Sequence, residues 1–577
     1  MRLPIGLLGT VLTILVVSCA PAQNQGQSAD RATDRPSQAR TLLIAHRYEH
    51  VTLTPKVLQS NGSGNNTRLF NAALSLIDDQ GASRPYLAEA LPQLGSDTWL
   101  LLPNGHMETT YRLRANLTWQ DGTPLTADDF VFALRVYKDP GLAVFTASPQ
   151  DEIDAVLAPD PRTIVIQWRA PNPSAGTLTF EDLDPLPAHR LQAMFADYTE
   201  GRLSREAFMG DPIWNVEYLG AGPYRLERWD PGVQLEGSAF AGHALGRPKI
   251  DRIVVRYFTD ENQTVAAILA GGTIDWACCN TLRFAQLVDL KREWEAAGKG
   301  VAIARRSTAV FLFLQQRPAV VGHEALLDLR VRRALAHAID RQAINDGLFD
   351  GQSVPTDTPV PPSVPFYSEL DRLMTRYPLD LNRANELMSQ AGFTRDGGGF
   401  FADRQGRRFH VDFAVQAASE IERMQTILSA SWRQAGFEVR TVVMAPQLYT
   451  QLETRHNLPG LGYAFFTNAE TTFRTSEIGT AANRWAGNNR SGWTHPEYDR
   501  LYDLAAATLD PAQRGSYIAQ MMAMVSEYLP GYALYYSQNV VAWVSSLQGP
   551  TSTDAAQFGR TIRPTTNYWD IQDWTFR

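Results

Sequence analysis

Apolar positions in this chain keep two spacings. Thr41–Ala45 is an unbroken apolar run, Arg162–Trp168 and Ile253–Tyr257 are β-branched and aromatic, and Tyr224–Glu227 alternates, so each predicts a strand. Tyr111–Leu117 alternates in part and runs to an Asp121-Gly122 turn. Elsewhere the spacing is helical. Thr126-Ala-Asp-Asp129 reads as a capping box ahead of Phe130, Leu134 and Tyr137. Val331, Ala334, Leu335, Ala338 and Ile339 form one stripe behind Asp328, and a second helix is expected from Asp340 to Gly347 or Gly351. Gln263–Ala270 predicts a short helix stopped by Gly271-Gly272, with Thr273–Trp276 extended after it. Two further stripes, Ala384–Ala391 and Ile421–Leu428, end at Gly392-Phe393 and Gly436-Phe437, the pattern of a glycine C-cap with an apolar residue tucked behind it. Val354–Pro365 holds five prolines and predicts an extended loop. Helices alternate with strands throughout, which predicts mixed α/β lobes.

The N-terminus departs from this pattern. Ile5–Val17 is almost wholly apolar and ends at Val16-Val17-Ser18-Cys19. The run is too short for a final membrane anchor and fits the core of an export signal. Its ending resembles a bacterial lipobox, which implies lipid on Cys19; the other reading is an ordinary signal peptide cleaved nearby. Pro21–Arg40 has almost no bulky apolar residue and predicts a flexible tether. The remaining chain is too long for one core and predicts two or three lobes. The net charge of −8 gives no support to nucleic-acid binding.

Beyond Cys19 the only cysteines are the adjacent Cys278 and Cys279. They offer no disulfide framework and no spaced metal thiolates; they can form a vicinal disulfide or stay reduced. His46-Arg-Tyr-Glu49-His50 matches an H-x-x-E-H zinc pattern. Zinc needs both histidines on one helical face, and the surroundings here read as strand and loop. The alternative is a loop at the end of the first strand, where His46, Tyr48 and Glu49 touch ligand. No nucleophile elbow, S-x-x-K or phosphate loop occurs. No metal or cofactor is called for.

Six segments, taken in order, resemble the solute-binding proteins of peptide-type ABC importers, the family of oligopeptide-, dipeptide- and nickel-binding proteins. They are Tyr111–Leu134 (YRLRANLTWQDGTPLTADDFVFAL), Leu219–Leu226 (LGAGPYRL), Ala267–Trp276 (AILAGGTIDW), Asp328–Ile344 (DLRVRRALAHAIDRQAI), YPLDLNRANELMSQAGF and SGWTHPEYDRLYDLA. The resemblance implies an α/β, two-lobe periplasmic-binding-protein fold with a hinge and an extra subdomain in the first lobe. On that basis residues 1–18 are a lipoprotein signal peptide and 19–40 a tether. Residues 41–308 plus 537–577 form the first lobe, with its subdomain at about 82–211, and 309–536 form the second. Crossings are expected near Ala309–Gln316 and Tyr535–Val544. The implied protein is an extracytoplasmic, lipid-anchored, monomeric receptor that closes on a peptide or peptide-like solute and hands it to ABC permease subunits. It has no catalytic residue.

The chain departs from the family at one place. Peptide-binding members anchor the ligand amine on an aspartate, and the matching stretch here, Leu461–Glu470 (LGYAFFTNAE), lacks it. Glu470 replaces it only if the loop is re-aimed. Tyr463, Phe465, Phe466, Asn468 and Trp485 suit stacking and neutral hydrogen bonding, as for an oligosaccharide, and each also reads as plain core. Trp276, Cys278 and Cys279 follow a segment that borders the family's cleft and are further candidates. A secreted hydrolase, either zinc-dependent or glycosidic, and a sensory partner for a membrane kinase are the other classes open to this sequence.

Overall fold

Ten strands drawn from the whole length of the chain join in one mixed sheet. In chain order they are β1 (Thr41–His46), β2 (Tyr224–Asp230), β3 (Gln234–Ala239), β4 (Arg252–Tyr257), β5 (Trp276–Ala277), β6 (Gly300–Leu314), β7 (His410–Gln416), β8 (Glu438–Met444), β9 (Leu461–Phe466) and β10 (Gly531–Val544). Across the sheet they lie in the order β8-β7-β9-β6-β10-β5-β1-β4-β3-β2. The computed structural model describes residues 40–49, 51–54, 56, 57, 64–142, 149–466, 469–550 and 567–577. Cys19 and the tether lie outside them, as do His50 and Asn468.

Two strands are shared by both halves of the sheet. β6 and β10 run antiparallel from Gly300 opposite Val544 to Phe313 opposite Gly531. At one end β10 pairs with β5, and so with the parallel β1 and β4 beyond it. At the other end Ala309–Leu314 of β6 pairs with β9, which lies parallel to β7. The outer stretches of both strands are apolar and buried, apart from the half-buried Val301, Ile303, Ala304 and Val544, while their centres, Arg305–Thr308 and Ser537–Asn539, are polar and half-buried. The register slips between Arg306 and Ala309. Such an irregularity bends and twists a strand. The physical cause is in the residues: Val-Phe-Leu-Phe-Leu and Tyr-Ala-Leu-Tyr-Tyr must be covered by helices, and Arg-Arg-Ser-Thr and Ser-Gln-Asn need water or polar partners. The covering is therefore interrupted where both strands turn polar.

A separate antiparallel sheet, in the order Trp99–Leu101, Met107–Arg112, Thr163–Trp168, Ile153–Asp160, packs against the helix Ala127–Tyr137. Its core includes Tyr111, Phe130, Leu134, Ile164, Ile166 and Trp168. Asp129 holds this unit together: its carboxylate accepts from the Thr126 backbone N–H at 2.9 Å, the Trp119 indole at 3.2 Å and the Ala188 N–H at 3.0 Å. The predicted capping box is thus one arm of a three-way junction.

Two of the sequence segments meet although they lie a hundred residues apart. The Gln120 amide donates to the carbonyls of Gly222 at 3.1 Å and Tyr224 at 2.7 Å, and its oxygen accepts from Gly220 N–H at 3.2 Å. Glycine is required in this turn because it lies on the backbone of Phe70: a Cβ would sit 2.0 Å from the Phe70 oxygen at Gly220 and 2.3 Å from its carbonyl carbon at Gly222. The remaining helices follow the pattern. Asp328, Asp340 and Asp380 each cap a helix by accepting a backbone N–H. Gly392 and Gly436 end theirs at φ 94° and 92°. No helix among the described residues is long and apolar enough to cross a membrane.

Candidate ligand-binding groove

The polar centres of β6 and β10 form the floor of an open groove. Ser307, Ser537, Gln538 and Asn539 supply the floor, Cys279, Asn280, Arg283 and Asn567 one wall, and Glu420 and Phe465 the other. Hydroxyls and carboxamides dominate, and each can donate and accept.

The first wall is held by a vicinal disulfide between Cys278 and Cys279. Cys279 and Asn280 are both left-handed, at φ 62° and 68°. That conformation is costly for non-glycine residues and persists only where the surroundings enforce it. Here the covalent link, a bond from the Thr281 hydroxyl to the Cys278 carbonyl at 2.8 Å and the Asn567 amide on the Cys279 sulfur at 3.8 Å do so. Below the wall the Tyr568 hydroxyl lies 3.1 Å from the Cys278 sulfur and 2.6 Å from His46 Nε2. The ligand atoms of His46, Cys278 and Cys279 lie within 4.8 Å of one another, the spacing of a metal cluster, but the two sulfurs are bonded to each other.

The second wall carries an open carboxylate. Glu420 lies in the first turn of the helix Ser419–Gln434, and no hydrogen bond or ion pair reaches it from the described residues. Burial pushes its carboxyl above the ordinary glutamate range, with the Arg283 and Arg423 charges pulling the other way. Across the groove Arg283 is 3.6 Å from Glu261, which Arg47 also pairs. Those three charges leave one net positive charge opposite Glu420.

The residues named from the sequence are spread over several environments. Cys279 and Phe465 line the groove, and Phe465 is 44% exposed there. His46 ends β1 and is fully buried beneath the wall. Cys278 and Trp276 are buried as well, Trp276 among Trp543, Tyr568 and Trp574. Tyr48 is exposed, with the Arg47 guanidinium 5.8 Å from its ring centre. Glu49 accepts from the Trp229 indole at 3.0 Å and Gly232 N–H at 2.8 Å, tying down the β2–β3 turn. Tyr463 stacks on Tyr449 in a second, smaller pocket. Glu470 is paired with Arg514 at 3.0 Å. Trp485 stacks on His456. Phe466 pairs through its backbone with Ala309, and its side chain lies outside the described residues. Glu420, Asn280 and the Ser537–Asn539 stretch belong to no motif in the sequence. The only sequence signal for the stretch is a polar break inside two apolar strands, and Glu420 gives none.

Two α/β halves joined by a strand pair with a polar centre, and a groove lined from both, define a two-lobe solute-binding protein. The chain belongs to the bacterial extracellular solute-binding proteins, family 5, whose model matches residues 92–473. It is 20% identical over 551 residues to the oligopeptide-binding protein AppA of Bacillus subtilis, covering 93% of this chain and 94% of that protein. It is 25% identical over 544 residues to protein XP55 of Streptomyces lividans, covering 92% and 89%. Among solved structures it is similar to the oligopeptide-binding protein of Thermus thermophilus complexed with a pentapeptide, with a TM-score of 0.76, 20% identity and coverage of 93% and 96%. It is also similar to NikZ of Campylobacter jejuni in complex with Ni(L-His), with a TM-score of 0.73, 20% identity and coverage of 93% and 99%. Two of these, AppA and the Thermus thermophilus protein, are oligopeptide-binding proteins.

Proposed function

We propose that the protein is an extracytoplasmic receptor that closes on a short peptide or peptide-like solute, anchors its amine on Glu420, and presents it to an ABC permease. One observation carries the ligand class. Glu420 is a carboxylate that lines the groove with no hydrogen bond or ion pair from the described residues, the Arg283 and Arg423 charges lying near it, and a buried carboxylate gains from a directly hydrogen-bonded counter-charge. An ammonium supplies one. The role that an aspartate after β9 fills in the peptide-binding members passes here to a different element, the start of the helix after β7. Contact with both walls makes the closed form the better binder, so ligand shifts the lobes toward closure.

The remaining parts of the reading rest on the sequence and on membership in the family. The first lobe comprises residues 41–308 plus 537–577, with a subdomain at about 82–211, and the second comprises 309–536. Lipid on Cys19 holds the receptor at the membrane through the 19–40 tether, and it works as a monomer.

The test is a thermal-shift comparison of short peptides with their N-acetylated twins. A ligand at a hundred times its dissociation constant adds about 2.7 kcal/mol of stability. The free-amine peptide is expected to stabilise the protein and the acetylated twin to fail. Equal shifts from both would sink the anchor. The groove's neutral lining, Asn280, Ser307, Ser537, Gln538, Asn539 and Asn567, favours a second reading, an uncharged solute such as an oligosaccharide. Stabilisation by oligosaccharides and by no peptide would select it.

A further inference from the structure

The buried side of the groove wall gathers three soft ligand atoms. β1 and β5 run parallel with Ala45 opposite Ala277, so the next residue of each, His46 and Cys278, leaves the strand ends side by side. The Cys278 N–H donates to the Ala45 carbonyl at 3.4 Å and holds that register. The chain then turns back through the left-handed Cys279 and Asn280, at φ 62° and 68°. His46 Nε2 or Nδ1 and both Sγ atoms lie within 4.8 Å of one another. Tyr568 reaches the same point from the C-terminal segment. Its hydroxyl is 2.6 Å from His46 Nε2 and 3.1 Å from Cys278 Sγ.

The surroundings are dry. His46 and Cys278 are fully buried, and Cys279 is 3% exposed. Both cysteines pack in an apolar cluster with Trp276, Trp543, Tyr568 and Trp574. The ring of Tyr568 stands 5.9 Å from that of His46, 6.3 Å from Trp276 and 6.0 Å from Trp574. The group contains no carboxylate. Cys279 is the member that also lines the groove, so an ion enters past its sulfur.

In the oxidised chain the sulfurs are bonded to each other and neither is a thiolate. A dithiol reductant changes this. It passes two electrons and two protons to the disulfide; the S–S bond breaks, two thiols form, and the reductant becomes its own disulfide. A cation that then binds sends the two thiol protons to solvent, and two metal–sulfur bonds form. The His46 imidazole adds a nitrogen, and the Tyr568 oxygen stands next to it as a fourth donor. Thiolates and imidazole select Zn²⁺ or Cu⁺ over Mg²⁺ and Ca²⁺, which take oxygen. Donors about 2.0–2.3 Å from a tetrahedral ion lie about 3.3–3.8 Å apart. Atoms already within 4.8 Å of one another reach that spacing by small side-chain rotations. Burial adds a coupling: thiolates in an apolar shell are costly until a cation joins them.

We infer that His46, Cys278 and Cys279 form a redox-gated site for a thiophilic cation, Zn²⁺ or Cu⁺, closed in the disulfide form and opened by a dithiol. The site lies beneath the groove wall and stands whether or not Glu420 anchors an amine. The captured ion ties the two sulfurs together as the disulfide does, so the wall that carries Cys279 and Asn280 is held in either state.

The test uses the whole chain carrying Cys19→Ser and no purification tag, so that Cys278 and Cys279 are its only thiols. The chain is reduced with a dithiol under nitrogen, freed of the reductant, and titrated with Zn²⁺, with Cu⁺ and, as an optical reporter, with Co²⁺; Mg²⁺ is the control. One equivalent of Zn²⁺ or Cu⁺ is expected to bind per reduced chain, with a saturable rise in melting temperature. Co²⁺ is expected to give a thiolate-to-metal charge-transfer band. The oxidised chain is expected to show neither. His46→Gln is expected to weaken binding about tenfold or more, and Cys279→Ser, whose change faces the groove, to weaken it at least as much. The second variant decides the matter if the buried histidine change unfolds the chain. No ion bound by the reduced chain, equal binding by the oxidised and reduced chains, or affinity unchanged in the folded variants overturns the site. Competition between Zn²⁺ and Cu⁺ then names the ion.

Discussion

Glu470 is held 3.0 Å from Arg514 of the helix Pro511–Tyr528, and this contact gives the only acidic residue of the Leu461–Glu470 stretch a partner within the protein. On the proposed reading the amine anchor comes from elsewhere in the fold, and Glu420 is the carboxylate that lines the groove. Glu420→Gln is expected to weaken binding of a free-amine peptide by about 2 kcal/mol, some thirtyfold, as for loss of a charge-assisted hydrogen bond. Glu470→Gln is expected to leave affinity unchanged and to alter stability by about 1 kcal/mol at most, since the pair is partly exposed. Calorimetric titration of both variants with one peptide separates the two roles; equal effects would contradict the assignment.

Binding of an amine at Glu420 is expected to depend on pH with a definite sign. In the empty groove burial raises the carboxyl above the ordinary glutamate range. An ammonium beside it favours the charged form and pulls it back down. Between those two values binding releases a proton, so affinity falls as pH is lowered through the raised value and levels off below the bound one. Titrations in buffers of different ionisation enthalpy would report the proton directly. An affinity that is flat across that interval argues against Glu420.

The vicinal disulfide is expected to matter more for binding than for folding. The loop it closes is minimal, so it removes little freedom from the unfolded chain. In the folded chain it fixes Cys279 and Asn280, two left-handed residues on the groove wall. Relaxing one such residue is worth about 1–3 kcal/mol. Mild reduction, or the double change Cys278→Ser with Cys279→Ser, is therefore expected to weaken ligand binding about tenfold while shifting the melting temperature by only a few degrees. Thiol counting before and after reduction accompanies the titration.

Stability is expected to follow two buried groups with opposite signs. Burial raises Asp184 from 3.8 to about 8. The folded protein therefore holds one more proton than the unfolded chain between those values, and stability from this group falls as pH rises from about 4 to 8. Burial and the Arg68 charge lower His243 from 6.5 to about 3, where it bridges the Tyr86 hydroxyl and the Gly246 carbonyl, each at 2.8 Å. Its contribution is present above pH 6.5 and is lost as pH falls toward 3. Asp184→Asn is expected to gain on the wild type steadily between pH 4 and 8 and by a constant amount above it. Urea unfolding at pH 5, 7 and 9 measures this.

Much of the architecture was legible in the sequence because it depends on local spacing. The stripe from Val331 to Ile339, the caps at Asp328, Asp340 and Asp380, and the glycine stops at Gly392 and Gly436 are written within single helical turns, and the structure carries them. The six ordered segments were enough to indicate the family. The reasons those segments exist were not legible. Gln120 needs Gly220, Gly222 and Tyr224, and the two glycines need the backbone of Phe70.

By itself the sequence determined which stretches are strand or helix and, through its resemblance to a family, that the fold is α/β with two lobes. Only the tertiary structure decided which polar groups face one another. Glu49, Trp276 and Glu470 carry the same residue chemistry as groove residues, yet Trp229, a cluster of aromatics and Arg514 occupy them. Glu420 looks ordinary in the sequence and lines the groove with no hydrogen bond or ion pair from the described residues. The reason is physical. Helix and strand formation are decided by neighbours along the chain, whereas the free energy of a charge is decided by whatever lies within a few ångströms of it in space.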